Sequence, residues 1–129
     1  RDVLLDRGVM TDTLETATVW SNLASLHQRV RAALRQAGAP FVMCHVSHVY
    51  RTGASLYFTF LARQEPGREI AQWQALKTAA TDAIMDGGGA LSHHHGIGGT
   101  STSLKPARFR SQRSATWIPL MEASRKARV

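Results

Sequence analysis

Hydrophobic and polar positions change period several times along the chain. Residues 13–17 (TLETA) are threonine-rich and flanked by turn formers, which predicts a short strand. Thr18 stands where a helix cap belongs. Trp20, Leu23, Leu26, His27, Val30 and Leu34 then fall three and four apart, the apolar stripe of a helix. Gly38 and Pro40 stop it. Residues 41–50 are long and mostly apolar, which predicts a second strand, central in its sheet. Arg51-Thr52-Gly53 makes a short hairpin connection to a third strand over 54–62. There Leu56, Phe58 and Phe60 share one face, and Tyr57, Thr59 and Leu61 the other. Pro66 suits a helix start, and Ile70, Trp73, Leu76, Ala80 and Ile84 trace a second apolar stripe. Gly87-Gly88-Gly89 ends that helix, and Ala90-Leu91-Ser92 reads as a fourth strand.

The order β-α-β-β-α-β predicts an α+β, ferredoxin-like domain: an antiparallel sheet with two helices on one face. This domain occupies residues 1–98. Residues 99–129 are rich in Ser, Thr, Arg and Pro without sustained periodicity, and read as a poorly ordered basic tail.

At 129 residues and 43% hydrophobic content the chain has room for one modest core. No apolar run approaches the ~20 residues of a membrane helix. Opening on Arg1, with no signal-peptide pattern, it reads as cut from a longer protein. The net charge is +7. From residue 100 onward seven basic residues face only Glu122, while the remainder carries nine basic against eight acidic residues. The folded body is therefore nearly neutral, which argues against a dedicated nucleic-acid-binding fold. The single cysteine, Cys44, lies in an apolar run and reads as a buried, inert thiol in a reducing compartment.

The most informative feature is His93-His94-His95-Gly96-Ile97-Gly98, delivered at the end of the fourth strand. Imidazoles titrate near neutral pH and move protons at reacting centres, and the glycines let backbone approach a ligand. A metal site is the competing reading. On a strand only His93 and His95 point the same way, His45 or His48 would have to add a ligand, and no Cys or carboxylate stands at ligand spacing. Tyr57 on its local pattern is a packed tyrosine; a fourth strand lying near the third would bring it to one pocket with the histidines. Strict alternation puts His45 and His48 on opposite faces of the second strand. Gly87–Gly89 follows a helix rather than opening one, which excludes a phosphate loop.

These residues also carry a resemblance. Asp12-Thr13-Leu14-Glu15-Thr16-Ala17 with Trp20, Cys44-His45-Val46-Ser47-His48-Val49-Tyr50, Gly53 to Phe60 (GASLYFTF) and Gly88 to Gly98 (GGALSHHHGIG) resemble the C-terminal substrate domain of FAD-linked oxidases, in its alkylglycerone-phosphate synthase branch. The resemblance spans roughly residues 1–98. It implies an FAD-dependent transferase of ether-lipid synthesis. In such enzymes acyl-dihydroxyacetone phosphate loses a proton, joins the flavin covalently and releases its fatty acid, and a fatty alcohol takes the vacated position without net redox change. Tyr57 would then be the acid/base residue, and His93, His94 and His95 would line the site. His93 and Gly96 would contact the cofactor, and His45 and His48 the substrate. Eukaryotic relatives carry arginine where His45 stands, which puts an anion-binding role there in doubt. FAD would be held mainly by an N-terminal domain absent from this chain. The resemblance also implies a cytoplasmic setting with peripheral membrane contact and a homodimer. After Gly98 the chain departs from the family pattern. The abrupt charge change there is the mark expected of a shifted reading frame, which resequencing the coding DNA would settle. The same fold also admits an oxidase or dehydrogenase of a 2-hydroxy acid, and a non-catalytic ferredoxin-like binding module.

Overall fold

Alternation along the third strand decides the layering. The computed structural model describes residues 2–91. A helical turn, α1 (Asp2–Leu5), precedes strand β1 (Val9–Val19) and helix α2 (Leu23–Gln36). The hairpin of β2 (Phe41–Val49) and β3 (Gly53–Arg63) follows, and then helix α3 (Glu69–Asp86). The sheet is antiparallel, in the order β1-β3-β2. Leu56, Phe58 and Phe60 are buried against Leu26, Val30 and Leu34 of α2 and Leu76, Ala80 and Ile84 of α3. Each of the larger side chains among these contributes roughly 1.5–3 kcal/mol when fully buried, so this cluster holds both helices on one face. His27 belongs to it, its ring stacked on Phe58 at a centroid distance of 5.8 Å. The architecture is α+β, as the pattern predicts. Both long helices end as glycines allow. Gly38 and Gly88 have φ of 109° and 72°, and the next residue's N–H returns to Leu34 and Ile84 respectively.

Several expectations are corrected. β1 runs 11 residues, because β3 pairs with it along its whole length, from Val9↔Arg63 to Val19↔Gly53. The threonine-rich segment marks only its middle. β2 is an edge strand among the described residues and β3 is central. The apolar run of β2 does not signal burial on two faces, since Phe41, Met43, Val46 and Val49 are all exposed. Thr18 caps no helix: a 3-10 turn (Trp20–Asn22) intervenes, and the Asn22 amide donates to Thr18 Oγ1 at 3.1 Å and to the Gly87 carbonyl at 2.7 Å. Trp20 leaves the core and donates its indole N–H to the Tyr50 carbonyl at 3.1 Å. Ile70 is 74% exposed, because α3 packs through Leu76, Ala80, Ala83 and Ile84 instead. The expected fourth strand is not formed at Ala90-Leu91: the described sheet has three strands, and the segment after α3 arrives beside β1, not β3. The Ala90 N–H donates to the Ala17 carbonyl at 3.0 Å, and Thr16 Oγ1 donates to the Ala90 carbonyl at 2.8 Å.

Candidate active site on the second sheet face

Tyr57 occupies the middle of β3, on the face turned away from the Leu56-Phe58-Phe60 core. Cross-strand register places Glu15 of β1 and His45 of β2 directly beside it, so Glu15, Tyr57 and His45 form one row across three strands. The Tyr57 and His45 rings tilt against each other at 32° with centroids 5.1 Å apart.

His48 joins this group, against the expectation that it faces away from His45. The register of β2 on β3 shifts between Val46 and Val49, and the extra residue of this bulge cancels the alternation. His48 Nδ1 lies 3.1 Å from Ser47 Oγ and 3.4 Å from Ser55 Oγ, and its backbone N–H donates to Ser55 Oγ at 3.0 Å. Ser47 Oγ donates to Glu15 Oε1 at 3.0 Å and lies 2.5 Å from Ser55 Oγ. Glu15 Oε1 is also 3.6 Å from His48 Nδ1, and the Glu15 side chain is only 4% exposed. The His48 ring stacks on Tyr50 at 6.5 Å.

The sequence singles out Tyr57, His45 and His48 as candidates, with His45 and His48 on opposite faces, and does not single out Glu15, Ser47 or Ser55. One signal was present. Glutamate has low strand propensity, so Glu15 at the centre of a strand calls for a compensating partner. The bulge that recruits His48 has no such mark in the sequence. His93, His94, His95 and Gly96 lie outside the described residues.

Two nearby features are structural. Cys44 turns toward the helix-covered face, where burial pushes its thiol up to about 11. The Gly87–Gly89 run packs inward: a side chain at Gly87 would strike Leu26 and the Ala83 carbonyl, and one at Gly89 would strike Thr16 and Leu26. It cradles no phosphate. Among the described residues no group of three His, Cys, Asp or Glu side chains could hold a metal ion.

The family description "FAD linked oxidases, C-terminal domain" matches residues 1–127. The chain belongs to that family. Among curated members it is 38% identical over 103 residues to the alkyldihydroxyacetonephosphate synthase of Dictyostelium discoideum, covering 76% of this chain and 17% of the relative. To the synthase of the same name from Caenorhabditis elegans it is 35% identical over 108 residues, covering 76% and 18%. A solved structure of alkyldihydroxyacetonephosphate synthase superposes with a TM-score of 0.65 at 30% identity, over 88% of this chain and 20% of that one. An uncharacterised FAD-linked oxidoreductase of Escherichia coli is 28% identical over 104 residues. The chain spans a fifth or less of the synthases it matches. The family match also continues past Gly98 into the basic tail.

Proposed function

We propose that this chain is part of the substrate domain of an FAD-dependent synthase that exchanges the acyl group of acyl-dihydroxyacetone phosphate for a fatty alcohol. The observation that carries this reading is the row Glu15-Tyr57-His45 with His48 beside it, in a chain 38% identical to a synthase of that name. The reaction needs proton traffic at a substrate carbon and at an alcohol. A phenol in a row with an imidazole and a carboxylate is suited to the first transfer, and an imidazole beside it to the second.

The described residues fit a flavin as a neighbour rather than as its holder. They have no phosphate-cradling loop, since the glycine run is packed into the core. The sheet face around Tyr57 and His45 offers aromatic edges to a planar ring. FAD, held mainly by a domain outside this chain, would supply an electron sink with no net redox change. On this reading Tyr57 handles the substrate proton, His45 and His48 orient the substrate, His93, His94 and His95 complete the site, and His93 and Gly96 meet the cofactor. The domain part is residues 1–98. A cytoplasmic location, peripheral membrane contact through the lipid substrate, and a homodimer belong to the same reading.

The kinship to an FAD-linked oxidoreductase favours one alternative, oxidation of a 2-hydroxy acid with net flavin reduction. The test is the complete reading frame, loaded with FAD and mixed without oxygen with acyl-dihydroxyacetone phosphate and a long-chain alcohol. An ether product without net flavin reduction supports the synthase. No ether product, with bleaching of the flavin by a 2-hydroxy acid, moves the protein to the oxidase class.

A further inference from the structure

The hydrogen bonds of the Glu15 cluster place a proton on His48 Nδ1. Four contacts need a proton each: Ser47 Oγ to Glu15 Oε1, Ser47 Oγ with Ser55 Oγ, Ser47 Oγ with His48 Nδ1, and the His48 backbone N–H to Ser55 Oγ. A carboxylate only accepts, so the Ser47 hydroxyl proton goes to Glu15. Ser55 must then donate to Ser47. Both serine protons are spent, and the backbone N–H supplies its own contact. The Ser47 contact to the ring is left for a proton on Nδ1. The two further acceptors close to Nδ1, Ser55 Oγ at 3.4 Å and Glu15 Oε1 at 3.6 Å, favour the same form. The opposite tautomer would face Nδ1 with oxygens that have no proton left to give.

We infer that Glu15, acting through Ser47 and Ser55, is a positioning residue that keeps the ring proton of His48 on Nδ1, so that in the neutral ring Nε2 is the acceptor for the hydroxyl proton of the alcohol substrate. The choice of substrate rests on the synthase reading; the tautomer does not. The arrangement has a clear physical basis. A buried carboxylate is a strong hydrogen-bond acceptor, and its direction propagates through two hydroxyls whose protons can point only one way. The ring is half exposed, at 50%, while the carboxylate that orients it is at 4%. The orienting group is thus shielded and the ring it orients is accessible. The bulge in β2 is what brings that ring to the Tyr57 face.

Substitution by glutamine gives the sharpest test. The amide of Glu15→Gln can donate to Ser47, which releases the Ser47 proton toward His48 Nδ1 and reverses the chain. The measurement is the 15N spectrum of histidine-labelled, full-length FAD-loaded protein, with the His48 signals assigned by His48→Gln. The expected result is an unprotonated Nε2 in the native protein and a shift toward Nε2–H in Glu15→Gln and in Ser47→Ala. The accompanying kinetics should show kcat down by at least about tenfold with KM for the acyl substrate held, since a base in the wrong tautomer loses most of its effect. An Nε2–H tautomer in the native protein overturns the inference, and this needs no variant to fold. An unchanged tautomer in both variants also overturns it. A reversed tautomer with full kcat overturns the role toward the alcohol. Absence of synthase turnover in the native protein defeats the functional reading alone, because the spectrum is read without turnover.

Discussion

Asp12 of β1 accepts the indole N–H of Trp73 of α3 at 2.7 Å, which ties β1 to α3. Lys77, one turn along α3, adds its ammonium 3.2 Å from the same carboxylate oxygen and donates to the Thr13 carbonyl at 2.9 Å. This lock joins α3 to β1 at the position paired with Phe60.

The lock has a pH signature. Burial pushes the Asp12 carboxyl up, but the Trp73 hydrogen bond, the Thr13 backbone N–H and the Lys77 charge together outweigh it, so the net shift is below the ordinary value of 3.8. A lowered carboxyl contributes stability that is complete above the unfolded value and is lost as pH falls through the folded one. Stability of the full protein to urea should therefore fall below pH 3.8, and Asp12→Asn should remove part of that dependence. Asp12→Ala should cost about 1.5–3 kcal/mol at neutral pH, the worth of a hydrogen bond to a charged group. A neutral-pH stability equal to native would show that Trp73 and Lys77 find other partners.

What the sequence reveals and conceals here follows from the range of each interaction. The stripes Leu26-Val30-Leu34 and Leu76-Ala80-Ile84 and the alternation Leu56-Phe58-Phe60 are local, and they were legible as one core. By that alternation Tyr57 reads only as a packed tyrosine, and it is the family resemblance that makes Tyr57 and His45 candidates. Strand order was not legible, because an apolar run such as residues 41–44 reads alike at the centre of a sheet and at its edge. The Glu15 cluster draws on β1, β2 and β3 at once, through a bulge that sequence patterns do not mark, so only the register exposes it. Trp20 and Ile70 fit helical spacing yet point outward, because the first precedes α2 and the second lies on its helix's uncovered side.

Tyr57→Phe should keep the fold, since the ring remains beside His45, and should lower kcat of the FAD-loaded protein about 10²- to 10⁴-fold, the usual worth of a positioned acid or base. Circular dichroism would confirm the fold and steady-state turnover would give the loss. Retention of native kcat would remove Tyr57 from the chemistry and leave it as a packing residue.

Cys44 should resist thiol reagents in the native protein. Its thiol is raised by burial from 9.0 to about 11, so little thiolate exists at neutral pH and the sulfur is half shielded. The expected outcome is slow labelling by a chromogenic disulfide at pH 8, accelerated sharply by denaturant. The sign of the linkage follows. Between pH 9 and 11 the unfolded thiol ionises while the folded one does not, so Cys44 makes the native state less stable as pH rises across that window. Cys44→Ala should flatten this part of the profile.

Gly53 is required by a close approach rather than by its own backbone angles. It opens β3 opposite Val19, and a Cβ there would run into the Thr18 carbonyl and the Val19 Cα, which are backbone atoms with no rotamer to yield. The β1 and β3 strands would have to separate at the end where Trp20, Tyr50 and the β2 bulge meet. Gly53→Ala should therefore cost about 1–3 kcal/mol, in the range of overpacked sites. It should also loosen the hairpin that carries Ser47, His48 and Ser55. Denaturant titration reads the first effect, and hydrogen exchange at the His48 amide, which bonds to Ser55 Oγ, reads the second. Faster exchange at His48 with slow exchange kept in the Leu26-Phe58 core would place the damage at the hairpin; unchanged stability would mean that the two strands can part there at little cost.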